Sequence, residues 1–146
     1  MARISVPEVA PELYRALAHT EQVIRKGPLD PTVRELVKIR VSQTNGCLFC
    51  IDTHIHEALE RGETPDRIYQ ISAWQESSLF TEAERAALAY ADAATKLPSG
   101  VSDEVWNAVA AAYKPEEAAH LVGQVAMINA WNRIAAPSHT PPAERD

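Results

Sequence analysis

The feature that most constrains this chain is the way its helices start. Asp30-Pro31 leads into residues 32–41, Thr64-Pro65-Asp66 into 67–74, and Lys114-Pro115-Glu116-Glu117 into a segment ending near Ala136. Proline suits the first helical position because its missing N–H would be unpaired there anyway. Thr81-Glu82-Ala83-Glu84 is a capping-box pattern, with Glu84 placed to reach back to the Thr81 backbone. Ser102-Asp103-Glu104 offers a further start. The stops agree. Gly27-Pro28 closes a first helix running from about Glu8, Gly62 closes a later one, and Pro98 with Gly100 closes the segment from Thr81. No stretch alternates apolar and polar residues as a half-buried strand would. The pattern predicts an all-α domain of about seven helices. Composition supports it: alanine is abundant and aromatics are only 6%, which favours closely packed helices over a sandwich of sheets.

With 146 residues, of which 46% are hydrophobic, the chain is expected to form one domain over 1–146. Its tail, 138–146, contains Pro141 and Pro142 and is expected to fray. Residues 116–135 are apolar on nearly every face, so that helix should lie centrally or in a contact between copies of the chain. The net charge of -6, from 14 basic and 20 acidic residues, argues against nucleic acid as a partner, since phosphate binding needs a cationic face. No apolar run approaches the roughly 20 residues that span a bilayer. The first residues lack the basic start and apolar stretch of a signal peptide. The expectation is a cytoplasmic protein without a membrane partner.

The chemistry lies in Glu35-Leu-Val-Lys-Ile-Arg-Val-Ser-Gln-Thr-Asn-Gly-Cys47-Leu-Phe-Cys50-Ile-Asp-Thr-His54. These are the chain's two cysteines. A lone Cys-x-x-Cys pair in a reducing compartment points to catalysis or metal binding; as a staple it would close almost no loop. Asn45-Gly46 breaks one helix and the next begins at about Cys47. At about 100° per residue, Cys50 and His54 fall within roughly 60° of Cys47, while His56 points the opposite way. Spacing therefore selects His54 as the partner of the thiols and sets His56 aside. Helix N-terminal N–H groups can lower a thiol pKa, and an imidazole can take the proton. A carboxylate behind the imidazole would orient it, and Glu35 is the sequence candidate.

The run Glu35…Ser42-Gln-x-Asn-Gly-Cys47-x-x-Cys50-x-x-x-His54, with Asn129-x-x-Asn132-Arg133 later, resembles the AhpD-like alkylhydroperoxidase group of the carboxymuconolactone decarboxylase family. The resemblance spans residues 12–136. It implies an AhpD-like helical fold assembled as a homo-oligomer, a trimer or hexamer. It also implies peroxidase or disulfide-reductase chemistry on a hydroperoxide or disulfide substrate. Cys50 would then be the attacking thiolate, Cys47 the proton donor and resolving thiol, and Glu35 with His54 the proton relay. No cofactor is implied beyond an external dithiol reductant, lipoyl or thioredoxin-like. Position 49 departs from the pattern: efficient peroxide reducers carry a second His there, and this chain has Phe49.

Other readings stand beside this one. Cys47, Cys50 and His54 could supply three ligands of a metal site in a non-catalytic module, with Glu35 or water as the fourth. A decarboxylase-type lyase acting on a small organic acid is a further alternative, against which the dithiol counts. Trp74, Trp106 and Trp131 read as packing anchors. Asn129, Asn132 and Arg133, on an otherwise apolar helix, read as a structural network. Arg40 and Ser42 can serve the site or a helix surface. His19, His120 and His139 show no partnered spacing.

Overall fold

The computed structural model describes residues 1–145. Among them the chain forms eight α-helices and one 3-10 turn, with no strand. They are α1 (Val6–Val9), α2 (Pro11–Arg25), α3 (Pro31–Asn45), α4 (Leu48–Glu60), α5 (Pro65–Gln70), the turn Ile71–Ala73, α6 (Glu82–Thr95), α7 (Asp103–Ala112) and α8 (Pro115–Ala135). The all-helical expectation holds. The single first helix expected from about Glu8 is instead two, because Pro11 has no N–H to continue α1 and opens a new helix.

The expected starts carry real caps. Asp30 accepts from the Thr32 N–H at 2.8 Å, and Ser102 from the Val105 N–H at 3.2 Å. At Thr81 both halves of the capping box form: its hydroxyl accepts from the Glu84 N–H at 3.2 Å, and Glu84 accepts from the Thr81 N–H at 2.8 Å. Glu84 also takes Arg67 in a two-pronged pair at 2.8 and 3.0 Å, tying the start of α6 to α5.

Helix α3 is the axis of the molecule. It packs against α4, α6 and α8, and it feeds two core clusters. Val33, Val37 and Val41 meet both cysteines, Ala87, Leu121, Val125 and Ile128 on one side. Leu36 and Ile39 meet Ile68, Ile71, Trp74, Phe80 and Leu88 on the other. Helix α8 also lies centrally, against α2, α3, α4, α6 and α7. Two of the tryptophans, Trp74 and Trp131, anchor packing as expected. Trp74 is buried and donates to Asp92, which also holds Arg40 at 2.7 and 3.2 Å. Arg40 thus belongs to the fold. Beyond α8 the chain turns without further helix. Ser138 is buried and its carbonyl accepts from the Arg3 N–H at 2.8 Å, so the two ends meet. Asp146, the last residue of the expected frayed tail, lies outside the described residues.

Candidate active site

Gly46 makes the corner that presents the dithiol. It closes α3 in the left-handed region, at φ 66°, where a side chain is strained, and its N–H returns to the last turn of α3. Cys47 follows in extended backbone as the N-cap of α4, and Cys50 sits in the first turn. Both are free thiols, 0% and 2% exposed. Helical phase therefore describes Cys50 and His54, whereas Cys47 reaches the pair from the cap.

The two sulfurs share a hydrogen bond with unequal consequences. The Cys50 thiol donates to Cys47 and, despite burial, the Cys47 pKa is held down to about 7; the Cys50 N–H and the Asn132 side chain add to this. Cys50 is pushed up, because it is the donor in that bond and because it is buried. The first negative charge of the pair therefore rests on Cys47.

Asn132 joins the thiols to α8 and α3. Its amide donates to Ser42 at 3.0 Å, and its carbonyl accepts from Asn45 at 2.9 Å. Asn45 also donates to Asn129 at 3.0 Å, and Arg133 donates to the same oxygen at 3.0 Å. The expected asparagine network exists. It does more than brace helices, since Asn132 contacts the dithiol itself.

A cavity of about 360 Å³ opens onto Cys50. Tyr14, Phe49, Trp131 and Ile134 form much of its apolar wall, and Lys38, His54 and Glu57 its polar end. Residues of the first segment, Ile4, Val6 and Pro7, and of the last, Thr140 and Pro141, complete it. Cys47 and His56 do not line it. His56 is largely exposed and its Nδ1 lies 2.7 Å from the Asp52 carbonyl.

Glu35 and His54 are brought together, with Glu35 Oε2 3.8 Å from His54 Nδ1. That is an ion-pair separation, and the hydrogen bond goes elsewhere: His54 Nδ1 lies 3.1 Å from Glu57 Oε2. Glu57 is held down to about 2, chiefly by this bond and by the charge of Lys38, against the opposing effect of burial. Glu35 is buried and faces Lys38 Nζ at 2.9 Å, while Arg61 stands 3.9 Å away. Sequence reasoning missed Glu57 and Lys38. Both stood at i+3 on the helices that carry His54 and Glu35, the spacing at which helical side chains meet.

Glu35, His54 and Glu57 place one ligand atom each within 4.8 Å of one another, and neither cysteine joins that group. The metal set raised as an alternative, both cysteines and His54 with Glu35 or water, is therefore not the cluster that forms. The Lys38 ammonium already supplies positive charge between the two carboxylates.

The sequence profile of the carboxymuconolactone decarboxylase family matches residues 11–93. The chain belongs to this family. An uncharacterized protein, YdfG of Bacillus subtilis, is 42% identical over 134 residues, 91% of each chain. A solved structure from Agrobacterium tumefaciens, a protein of unknown function and candidate antioxidant defence protein AhpD, superposes with a TM-score of 0.96 at 32% identity, covering 99% of this chain and 100% of that one. The alkylhydroperoxidase AhpD core of an uncharacterized peroxidase-related protein from Ralstonia eutropha matches with a TM-score of 0.80 at 21% identity, over 95% of this chain and 75% of that one, and so shares the fold. The helical architecture is AhpD-like, and no helix among the described residues is long and apolar enough to cross a membrane.

Proposed function

We propose that this chain is an enzyme, a dithiol-dependent peroxidase or disulfide oxidoreductase of the alkylhydroperoxidase type, working in the cytoplasm. The observation that carries this reading is the division between the two sulfurs. Cys50 lines the cavity, and Cys47 is sealed behind it with a hydrogen bond between them. Moving the Cys50 proton along that bond onto Cys47 puts the thiolate on the sulfur a substrate can reach.

Cys50 thiolate then attacks the terminal oxygen of a hydroperoxide. An S–O bond forms and the O–O bond breaks. The alkoxide leaves with the electron pair and takes up a proton, giving an alcohol and a sulfenic acid. Cys47 attacks the oxidised sulfur, an S–S bond forms, and hydroxide leaves to become water with the Cys47 proton. Two thiols and one hydroperoxide become a disulfide, an alcohol and water. A disulfide substrate follows the same path with a thiolate as leaving group. His54, between the carboxylates of Glu35 and Glu57, is placed to move protons to and from the cavity. An external dithiol, lipoyl or thioredoxin-like, restores the thiols.

The test is to titrate the reduced protein with tert-butyl hydroperoxide and follow it by mass spectrometry. The expected result is loss of two hydrogens confined to Cys47 and Cys50, no turnover in Cys50→Ser, and a sulfenic acid that accumulates in Cys47→Ser. Unchanged turnover in Cys50→Ser, or no mass loss in the wild type, would overturn the reading. Zinc retained stoichiometrically through dialysis would favour the metal-holding alternative instead.

A further inference from the structure

Lys38 is the buried charged group in this cavity that the steps above leave without a task. Its side chain is 1% exposed, in the middle of α3, yet it lines the same cavity as Cys50. An ammonium withdrawn from water is costly unless it is paired and its donors are used. It faces Glu35 Oε1 at 2.9 Å and Glu57 Oε2 at 3.7 Å, but Nζ makes no well-directed hydrogen bond to either. An ammonium carries three N–H donors. Charge is paired here, and donor capacity is unspent.

Besides Cys50 and Tyr14, the other charged or titratable groups that line this cavity are Glu21 and Arg25 of α2 and His54 and Glu57 of α4, while Glu35 faces Lys38 from within α3. Glu21 is already engaged by Gln124 at 3.0 Å and Trp131 at 3.2 Å. Lys38 thus keeps N–H donors for an oxygen that enters beside Cys50.

We propose that Lys38 is a catalytic residue of the peroxidase reaction, donating a hydrogen bond to the substrate's leaving oxygen as negative charge develops on it. This rests on the dithiol reading above and narrows its substrate to a hydroperoxide with an apolar body and a poor, basic leaving oxygen. As the Cys50 sulfur bonds to the terminal oxygen and the O–O bond breaks, the electron pair goes to the alkoxide. Lys38 stabilises that oxygen and passes it a proton. The amine is reprotonated from solvent, because the Cys47 proton leaves with the water when the disulfide closes. A preorganised donor aimed at developing charge acts on the transition state more than on the ground state.

The experiment compares three electrophiles on reduced wild type and Lys38→Met, each rate taken on the plateau of its pH profile so that thiolate fraction cancels. tert-Butyl hydroperoxide expels a basic alkoxide, peroxyacetic acid expels acetate, and iodoacetamide expels iodide. Lys38→Met should slow the alkyl hydroperoxide on the order of 100-fold and the other two less than about 5-fold. Lys38→Arg, which keeps a donor, should recover part of the loss. Equal losses with all three reagents would reduce Lys38 to a group that tunes the thiolate, and no loss at all would remove it from the reaction. Because Lys38→Met strands buried Glu35, the comparison is repeated between Glu35→Gln and the double variant Glu35→Gln/Lys38→Met, where the same selective loss is expected. A wild type that alkylates normally but reacts with neither peroxide would bring down the peroxidase reading and this proposal with it. A reactive wild type matched by both Lys38→Met and the double variant would bring down this proposal alone.

Discussion

Asn132 shows how one neutral side chain can serve both stability and reactivity. It is 2% exposed and uses its amide group on Ser42, Asn45 and the thiol pair. Asn132→Ala leaves buried partners unsatisfied and should cost about 1–3 kcal/mol in urea unfolding. It should also raise the thiolate midpoint when alkylation rate is followed against pH, since its side chain lowers both thiols. An unchanged midpoint would separate Asn132 from the dithiol. Glu57 gives a prediction at acid pH. Its folded pKa lies below the ordinary 4.5, at about 2, so its contribution is present above about 4.5 and is lost as pH falls from there toward 2. Glu57→Gln should flatten this acid limb of the stability curve. The effect should be about 1 kcal/mol, because a third of the side chain is exposed and solvent screens the pair. Chemical denaturation between pH 2 and 6 reads it directly.

At the scale of elements, the dithiol depends on a corner and α6 depends on a cap. Gly46→Ala forces a side chain into the left-handed region, with open space around it, so strain alone should cost about 1–2 kcal/mol. Because the corner positions Cys47, the rate of disulfide closure in a stopped-flow assay should fall as well. Thr81→Ala removes a cap hydroxyl and should cost about 1 kcal/mol. Glu84→Ala should cost more, about 1–3 kcal/mol, since it also removes the two-pronged bond to Arg67, whose guanidinium keeps Glu63 at 2.8 Å. Thermal unfolding of the two variants distinguishes the cap from the buried pair. These starts were legible in sequence because a cap is a local event: donor, acceptor and helix lie within four residues. The division of α1 from α2 was signalled by Pro11, but whether four residues before it form a helical turn depends on what they pack against.

At the scale of the whole molecule, the cavity over Cys50 is closed by both ends of the chain. Ile4, Val6 and Pro7 line it, Arg3 is tied to Pro137 and Ser138, and Arg145 pairs with Asp52 on α4. A chain beginning at Glu8 should therefore alkylate faster with a bulky maleimide, about 10-fold at Cys50, with little change for iodoacetamide. We also propose that copies of the chain associate as a trimer or hexamer, as the family resemblance implies. A monomer by light scattering at micromolar concentration would refute that.

By itself, the sequence determined the helical class, most helix starts and the placing of Cys47 and Cys50 together at the start of a helix. Each of those is written in short-range spacing, where backbone geometry leaves few alternatives. Only the tertiary structure decided which charges are buried. Arg34, Glu35 and Lys38 lie on one helix and read locally as a solvated face, yet each is at most 3% exposed. Their burial is possible because α4, in contact with α3 along the site, supplies His54 and Glu57, with Arg61 at its C-cap. Spacing along one helix cannot show a partner on another. The same limit made Glu35 look like the carboxylate that orients His54, when folding gives that hydrogen bond to Glu57 and sets Glu35 against Lys38.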